Sequence, residues 1–325
     1  MKPAVNKNTV FSAENRHDIL YLTDNGLHIR DVVIEAGIGQ EIMIGLLSDI
    51  HYNYCNAQDL EEADPVLMST LEHRRWLAGG ASVPMTRRCL QMLDDADQIV
   101  LNGDTLDYLS HGSMELMQRE IWDKYPGIIA VAGGHEPARK MQGTVPETLS
   151  REARLAMVER FWKHDLYYIS KLIKNKVLVI GLFNDLSRFD ADQYQNLAAD
   201  IALAREKGYI ILLFAHEPIA TRNPAHKHIT REDAIQVGDP SAFPDNYCDG
   251  AMAGGSSSDG ATMAVYRLIT GSADVIRGFF AGHVHSHLYL EIAATLPDGT
   301  ATVIPQYIHT TTAYQDGHLM RILIR

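Results

Sequence analysis

Basic residues and long apolar runs are both scarce in this sequence. Lysine and arginine number 29 against 41 acidic residues, which gives a formal net charge of −12. Because a phosphate backbone needs a basic protein face, we expect no stable binding of nucleic acid. No uninterrupted apolar stretch reaches roughly 18 residues, so we expect neither a transmembrane helix nor a membrane partner.

Cysteine is scarce as well, and its distribution gives no disulfide framework. Cys55, Cys89 and Cys248 are odd in number and lack the close spacing of a zinc knuckle. The residues from Met1 to Asp24 lack the apolar segment of a signal peptide. We therefore interpret the cysteines as reduced thiols of a cytoplasmic protein.

Short apolar runs alternate with helical patterns along the chain. The run Ile42–Ser48 is typical of a strand that is buried on both faces, and Tyr209–Ala215 predicts a further strand. Segments such as Ser150–Trp162 and Asp192–Lys207 predict helices. The alternation predicts an α/β fold, and the absence of a clear linker predicts a single domain over residues 1–325.

Histidine, in contrast, is abundant, and several of the 15 histidines follow predicted strands directly. Five such segments carry metal-binding residue types: Asp49-Ile50-His51, Gly103-Asp104-Thr105-Leu106-Asp107, Gly134-His135-Glu136, His216-Glu217 and Gly282-His283-Val284-His285. Carboxylates and imidazoles together favour Mn, Fe, Zn, Co or Ni over Ca. In an extended segment, residues two apart point the same way, so we expect each D-x-H or H-x-H pair to face one metal region.

In this order, the five segments resemble the motifs of the calcineurin-like metallophosphoesterase superfamily. The family motifs D-x-H, G-D-x-x-D, G-N-H-[D/E], a lone His after a strand and G-H-x-H correspond here to DIH, GDTLD, GGHE, AHEP and GHVH. The resemblance extends from about Ile42 to the end of the chain. It implies a four-layer αββα sandwich with two mixed β-sheets, and insertions near residues 55–83 and 223–260.

The resemblance also implies a role for each motif residue. It implies two divalent transition-metal ions, one held by Asp49, His51 and His285, the second held by His216 and His283, and both bridged by Asp104. It further implies that His135 contacts substrate or protonates the leaving group, and that Asp107 orients His135 through a hydrogen bond. A metal-bridging hydroxide would then attack the phosphorus of a small-molecule phosphomonoester or phosphodiester.

One position departs from the family pattern. Gly134 stands where the family has an asparagine whose side-chain oxygen binds the second metal. Three outcomes remain open: water or substrate fills the position in a working enzyme, the second site is weak and activity is reduced, or the chain is a non-catalytic binding scaffold. The other ligand positions are intact, which favours a metallophosphoesterase. Asn102 and Asn184 follow predicted strands, and the sequence does not decide whether either replaces the lost amide.

Residues within and next to the motifs indicate which branches of the family the chain does not resemble. Tyr108-Leu109 stands where the protein-phosphatase branch has Arg-Gly, and Asp107 stands where the purple acid branch has a tyrosine ligand. Both differences disfavour those branches and leave a diesterase-like or generic phosphatase. Glu136 and Glu217 are interpreted as residues that either support the ligands from behind or face solvent.

The two insertions begin next to proposed ligands, so either could line the site and select the substrate. The first insertion is mostly Cys55–Val83. The second contains the Gly/Ser-rich stretch Gly254–Gly260, which could equally be an excursion from the fold.

Overall fold

The computed structural model of the chain describes residues 11–12, 18–23, 26–78, 81–140, 148–185, 188–219, 260–312 and 317–325. The chain divides into two compact units, Met1–Leu166 with Thr311–Arg325, and Tyr167–Thr310. Each unit contains one mixed β-sheet accompanied by helices, so the predicted α/β fold with two mixed sheets is confirmed. The predicted insertion at 223–260, with its stretch Gly254–Gly260, lies outside the described residues except for Gly260, which begins a helix.

The sheet of the first unit has seven strands in the part of the chain that the structure describes. In chain order they are β1 (Phe11–Ser12), β2 (Asp18–Leu22), β3 (His28–Ile34), β4 (Ile42–Leu47), β5 (Gln98–Asn102), β6 (Ile129–Val131) and, after the strands of the second unit, β13 (His318–Ile324). Their order across the sheet is β1-β2-β3-β13-β4-β5-β6. β4, β5 and β6 are parallel neighbours, whereas β13 is antiparallel to β4. The carboxyl ends of β4, β5 and β6 therefore lie at one edge, where α/β sheets bind ligands.

Several described helices of the first unit begin at capping residues that the sequence supplies. They are α1 (Ala57–Glu62), α2 (Pro65–Ala78), α3 (Ser82–Met92), α4 (His111–Met117), which continues as a π-helical turn (Gln118–Trp122), and α5 (Arg151–Phe161). The side chains of Asn56, Ser110 and Ser150 accept main-chain N–H groups at the start of α1, α4 and α5. The segment predicted as the first insertion thus consists of α1, α2 and the beginning of α3.

Among its described residues, the second unit has a six-stranded sheet and two helices. The strands are β7 (Tyr168–Ile173), β8 (Val177–Leu182), β9 (Ile210–Ala215), β10 (Ile276–Ala281), β11 (Leu288–Thr295) and β12 (Ala301–Ile308), in the order β11-β12-β10-β9-β8-β7. The helices are α6 (Ala191–Lys207) and α7 (Gly260–Thr270). β8, β9 and β10 are parallel, and every residue of β8 and β9 is buried, as expected for strands covered on both faces. Within the described part of the chain, no helix is both long and apolar enough to cross a membrane.

A buried carboxylate on the π-helical turn predicts acid sensitivity. Arg87 donates to both oxygens of Glu120 at 2.7 Å, and Lys124 and Arg119 add further ion pairs. These hydrogen bonds, Arg87 first, lower the pKa of Glu120 to about 2 from its ordinary 4.5. A lowered folded-state pKa contributes stability that is present above pH 4.5 and is lost as the pH falls toward 2. After discounting for the solvent exposure of the three cations, we expect about 2 kcal/mol.

Urea unfolding of Glu120→Gln between pH 2 and pH 7 measures this contribution. We expect Glu120→Gln to be less stable than the wild type at pH 7, and we expect the difference to vanish in strong acid. The exposed Glu61→Gln is the matched control and should follow the wild type. A stability difference between Glu120→Gln and the wild type that does not change with pH would contradict the ion-pair account.

Candidate metal centre

Two loops at the edge of the first sheet carry four of the predicted site residues. Asp49 and His51 follow β4, and Asp104 and Asp107 follow β5. The loops run side by side, because the Asp49 N–H donates to the Gly103 carbonyl at 3.0 Å and the His51 N–H donates to the Asp104 carbonyl at 2.9 Å. His51 Nε2 lies 4.0 Å from Asp49 Oδ1. The two motifs therefore lie side by side at this edge of the sheet.

The backbone of the proposed ligands is unusual. Five of the six have a positive φ: Asp49 at 53°, His51 at 52°, Asp104 at 49°, His283 at 72° and His285 at 54°. Such left-handed geometry costs roughly 1–3 kcal/mol per residue and clusters at functional sites. The expectation of an extended backbone for these pairs was wrong, because β4 ends at Leu47 and β10 ends at Ala281, before either pair. Aspartate and histidine are among the side chains that tolerate this conformation best.

Asp49 is held by hydroxyl groups that the sequence motifs do not contain. The Ser48 hydroxyl lies 2.5 Å from Asp49 Oδ2, and the Thr311 hydroxyl donates to the Asp49 carbonyl at 2.6 Å. Ser48 and Asp49 are fully buried, and Thr311 is nearly so. Ser48 is adjacent to the motif, but Thr311 is 262 residues away in sequence, so no local pattern predicts its role.

Glu136 connects the loops at this edge of the sheet. It is completely buried, and its carboxylate accepts four main-chain N–H groups, those of Gly133, Asp104, Thr105 and Leu106, at 2.6, 3.1, 2.6 and 3.1 Å. Two interpretations were left open for Glu136. The structure agrees with the one in which Glu136 holds the segments of the proposed ligands in place, because its side chain does not face solvent. The carboxylate thereby fixes the backbone that carries Asp104.

His135 is the most accessible of the predicted site residues in the first unit, with 25% of its side chain exposed. Its main-chain N–H donates to Asp104 Oδ1 at 3.0 Å. Its Nδ1 makes a short hydrogen bond to the main-chain carbonyl of Asp107, and its ring packs against Tyr108 at a centroid distance of 4.5 Å. The Asp107 carbonyl therefore engages Nδ1, and Nε2 lies 3.8 Å from Asp104 Oδ2.

The carboxylate of Asp107 contacts His51 more closely than His135, the histidine that it was expected to orient. Its Oδ1 lies 3.2 Å from His51 Nδ1 but 3.8 Å from His135 Nδ1, which is too long for a hydrogen bond. Arg74 Nε and Nη2 donate to the same Oδ1 at 3.0 and 2.8 Å, and Asn53 Nδ2 donates to Oδ2 at 2.8 Å. Asp107 therefore contacts His135 through its main-chain carbonyl and His51 through its carboxylate.

The ionisation states of Asp107 and His51 are suited to metal binding by His51. Burial alone would raise the pKa of Asp107, but hydrogen bonds from His51 and Arg74, together with the charge of Arg74, hold it well below its usual range. Burial lowers the pKa of His51, and Asp107 offsets this only in part. An ionised carboxylate beside a neutral imidazole is the protonation state that a histidine ligand requires.

Geometry alone would also allow a metal ion among His51, Asp107 and His135, whose candidate ligand atoms lie within 4.8 Å of one another. The Arg74 guanidinium, however, occupies Oδ1 of Asp107 and would repel a cation there. We therefore interpret Asp107 as a residue that orients His51 rather than as a metal ligand.

In the second unit, His216 and His283 form a nitrogen pair. His216 follows β9 and His283 follows β10, and the Gly282 N–H donates to the His216 carbonyl at 2.9 Å. His283 Nδ1 and His216 Nε2 are 3.3 Å apart. Two nitrogens that bind one tetrahedral ion at 2.0–2.1 Å are separated by about 3.3 Å, so the pair fits a shared metal ion.

Asn184, a candidate for the missing amide ligand, supports the turn that carries His216. Its Nδ2 donates to the Glu217 carbonyl at 2.8 Å, and its Oδ1 accepts the Glu217 N–H at 3.1 Å. The other candidate, Asn102, ends β5, and its main-chain carbonyl lies 2.9 Å from the Ser48 hydroxyl. Gly134 is not among the glycines with a positive φ, so its conformation is not the left-handed one that favours glycine.

The profile of the calcineurin-like phosphoesterase family matches residues 42–287, about three quarters of the chain and all five motifs. The chain belongs to the calcineurin-like phosphoesterase family. No curated protein matches the sequence.

Several solved structures resemble the chain at low sequence identity. A dimetal phosphatase from Danio rerio is 14% identical with a TM-score of 0.40, over 85% of this chain and 89% of that one. A 5′-nucleotidase precursor from Thermus thermophilus is 12% identical with a TM-score of 0.34, over 82% of this chain and 48% of that one. The calcineurin-like phosphoesterase YfkN from Bacillus subtilis is 13% identical with a TM-score of 0.35, over 83% and 81%. These likenesses are too distant to identify a substrate.

Proposed function

We propose that this chain is a metal-dependent phosphoesterase that hydrolyses a small-molecule phosphomonoester or phosphodiester. The observation that best supports the proposal is the left-handed backbone at five of the six proposed ligands. Strain at so many chemistry-bearing residues is retained where function requires it. Cys55 and Cys89 are free thiols, which supports the proposal that the protein acts in the cytoplasm.

The proposed ligand set is the one implied by the family motifs. Asp49, His51 and His285 would hold one divalent transition-metal ion, His216 and His283 would hold a second, and Asp104 would be shared by both. The carboxylate and imidazole donors favour Mn, Fe, Zn, Co or Ni. When bound, such ions lower the pKa of water and neutralise charge on the phosphoryl oxygens.

In this proposal His135 acts on the substrate. The Asp107 carbonyl accepts the Nδ1 proton of His135 and fixes the orientation of the ring. The accessible Nε2 then contacts a phosphoryl oxygen and, in the imidazolium form, donates its proton to the leaving oxygen. General acid catalysis of this kind contributes roughly 100- to 10,000-fold.

Gly134 supports a second candidate, a weakly active or non-catalytic binding scaffold. Glycine brings no side-chain oxygen to the position where the family has asparagine. The variant Gly134→Asn separates the two candidates, because it can restore activity only where a weak second metal site is the defect.

The proposal predicts metal-dependent turnover of a chromogenic phosphodiester or phosphomonoester with added Mn²⁺. His135→Ala should lower kcat/KM by roughly 100-fold or more, because it removes the proton donor. The exposed His73→Ala is the matched control and should retain the wild-type rate. If the wild type shows no turnover and Gly134→Asn does, the second metal site is impaired. If neither protein shows turnover, the binding scaffold is favoured.

A further inference from the structure

We propose that Arg74 is a positioning residue of the metal centre, and that segment 55–83 supplies it to the site. The inference deepens the proposed function and rests on it, since it treats His51 as a metal ligand. It gives the segment a role in the chemistry, in addition to any role as a wall for the substrate.

The face of α2 explains why Arg74 reaches the site. Leu67, Leu71 and Arg74 are four and three residues apart, so they lie along one side of the helix. Leu67 and Leu71 are buried in a cluster with Tyr108, which follows Asp107 in the loop after β5. This apolar contact docks the helix on the loop and directs the next residue of the same face, Arg74, at Asp107.

The contact between Arg74 and Asp107 is well shielded. The Arg74 side chain is 13% exposed and the Asp107 side chain is 1% exposed. Two guanidinium nitrogens donate to one carboxylate oxygen, and the guanidinium carbon lies 5.9 Å from the centre of the Tyr108 ring. Charge-assisted hydrogen bonds of this kind are stronger and more directional than neutral ones.

Asn53 completes the support from the other side. Its Nδ2 donates to Asp107 Oδ2 at 2.8 Å and to the Leu71 carbonyl of α2 at 3.1 Å. Both carboxylate oxygens of Asp107 are therefore held, one by Arg74 directly and the other by an amide that is itself bonded to α2. The carboxylate has little freedom to rotate.

A fixed carboxylate selects the tautomer of His51. With Oδ1 at 3.2 Å from Nδ1, the negative charge of Asp107 favours the proton of the neutral imidazole on Nδ1, which leaves the lone pair of Nε2 for a metal ion. Lysine cannot reproduce this arrangement, because an ammonium group is a point charge without the planar fork of a guanidinium.

The test compares the full chain with Arg74→Ala, Arg74→Lys and, as matched control, Arg75→Ala, the exposed neighbour on the same helix. In histidine-labelled, metal-free protein, ¹⁵N NMR reports the tautomer of His51, assigned with a His51→Gln sample. Titration with Mn²⁺ alone reports metal affinity. We expect the Nδ1–H tautomer in the wild type and Arg75→Ala, mixed tautomers in both Arg74 variants, and an apparent Mn²⁺ Kd raised roughly 10- to 100-fold in the latter.

Arg74→Lys keeps the positive charge, so the tautomer and the Mn²⁺ affinity can be compared in this variant if Arg74→Ala fails to fold. A wild-type tautomer and Mn²⁺ affinity in Arg74→Lys would overturn the positioning role and leave Arg74 as a mere counter-charge. Absence of turnover in the wild type would instead overturn the proposed function, while the tautomer and affinity comparison would still decide the role of Arg74.

Discussion

Replacing Asp104 with asparagine is expected to reduce kcat/KM for metal-dependent phosphoester hydrolysis on the order of 1,000-fold or more. As the proposed shared ligand, Asp104 would contribute its negative charge to both metal sites, and the loss of several kcal/mol of metal-assisted stabilisation corresponds to that factor. The amide is close to isosteric with the carboxylate, and its oxygen can still accept the His135 N–H that Asp104 Oδ1 now accepts at 3.0 Å. The fold should therefore survive the substitution.

Steady-state kinetics together with metal analysis measure this effect. We expect Asp104→Asn to bind less Mn²⁺ than the wild type while its thermal midpoint changes little. Asp192→Asn, an exposed change of the same chemistry at the start of α6, should leave both rate and metal content unaltered. Activity of Asp104→Asn within threefold of the wild type would show that Asp104 is not a bridging ligand.

Glu136→Gln is expected to destabilise the protein by about 4 kcal/mol and to abolish turnover. Each carboxylate oxygen of Glu136 accepts two main-chain N–H groups. The glutamine NH₂ group would face two of these donors and leave them without an acceptor, at roughly 1–3 kcal/mol for each buried group. Because one of the four N–H groups belongs to Asp104, the same change displaces the backbone of a proposed metal ligand.

The free energy of unfolding in urea, compared between Glu136→Gln and the exposed Glu35→Gln, tests this prediction. Glu35→Gln should match the wild type within about 0.5 kcal/mol, as surface changes usually do. A loss of less than 1 kcal/mol in Glu136→Gln, with turnover retained, would be incompatible with a buried acceptor of four N–H groups.

Much of the fold could be predicted from the sequence because its signals are local. The apolar run of β9 shows burial on both faces, and Gly208 marks the end of α6, where its φ of 68° suits glycine. The five motif segments each come shortly after a strand, as expected. Since parallel strands end at one sheet edge, the order of strands and motifs along the chain is enough to place residues such as Asp49 and Asp104 together.

The supports of the site could not be predicted in the same way, because they depend on contacts between distant segments. Arg74 is 33 residues from Asp107, and only the docking of α2 brings its guanidinium to the carboxylate. The hydrogen bond from His135 to the main-chain carbonyl of Asp107 could not be predicted either, because every residue has such a carbonyl. The spacing of Leu67, Leu71 and Arg74 places them on one face of α2, and this was the sequence feature that could have indicated the position of Arg74.

Turnover and metal dependence measured in a single experiment test the central claim most directly. Purified wild type and Asp104→Asn would be assayed side by side on a chromogenic phosphodiester and phosphomonoester, first with chelator and then with increasing Mn²⁺. The account predicts that wild-type hydrolysis is absent with chelator and rises with Mn²⁺, and that Asp104→Asn stays near background throughout. Hydrolysis by wild type that persists with chelator, or equal rates in the two proteins, would contradict it.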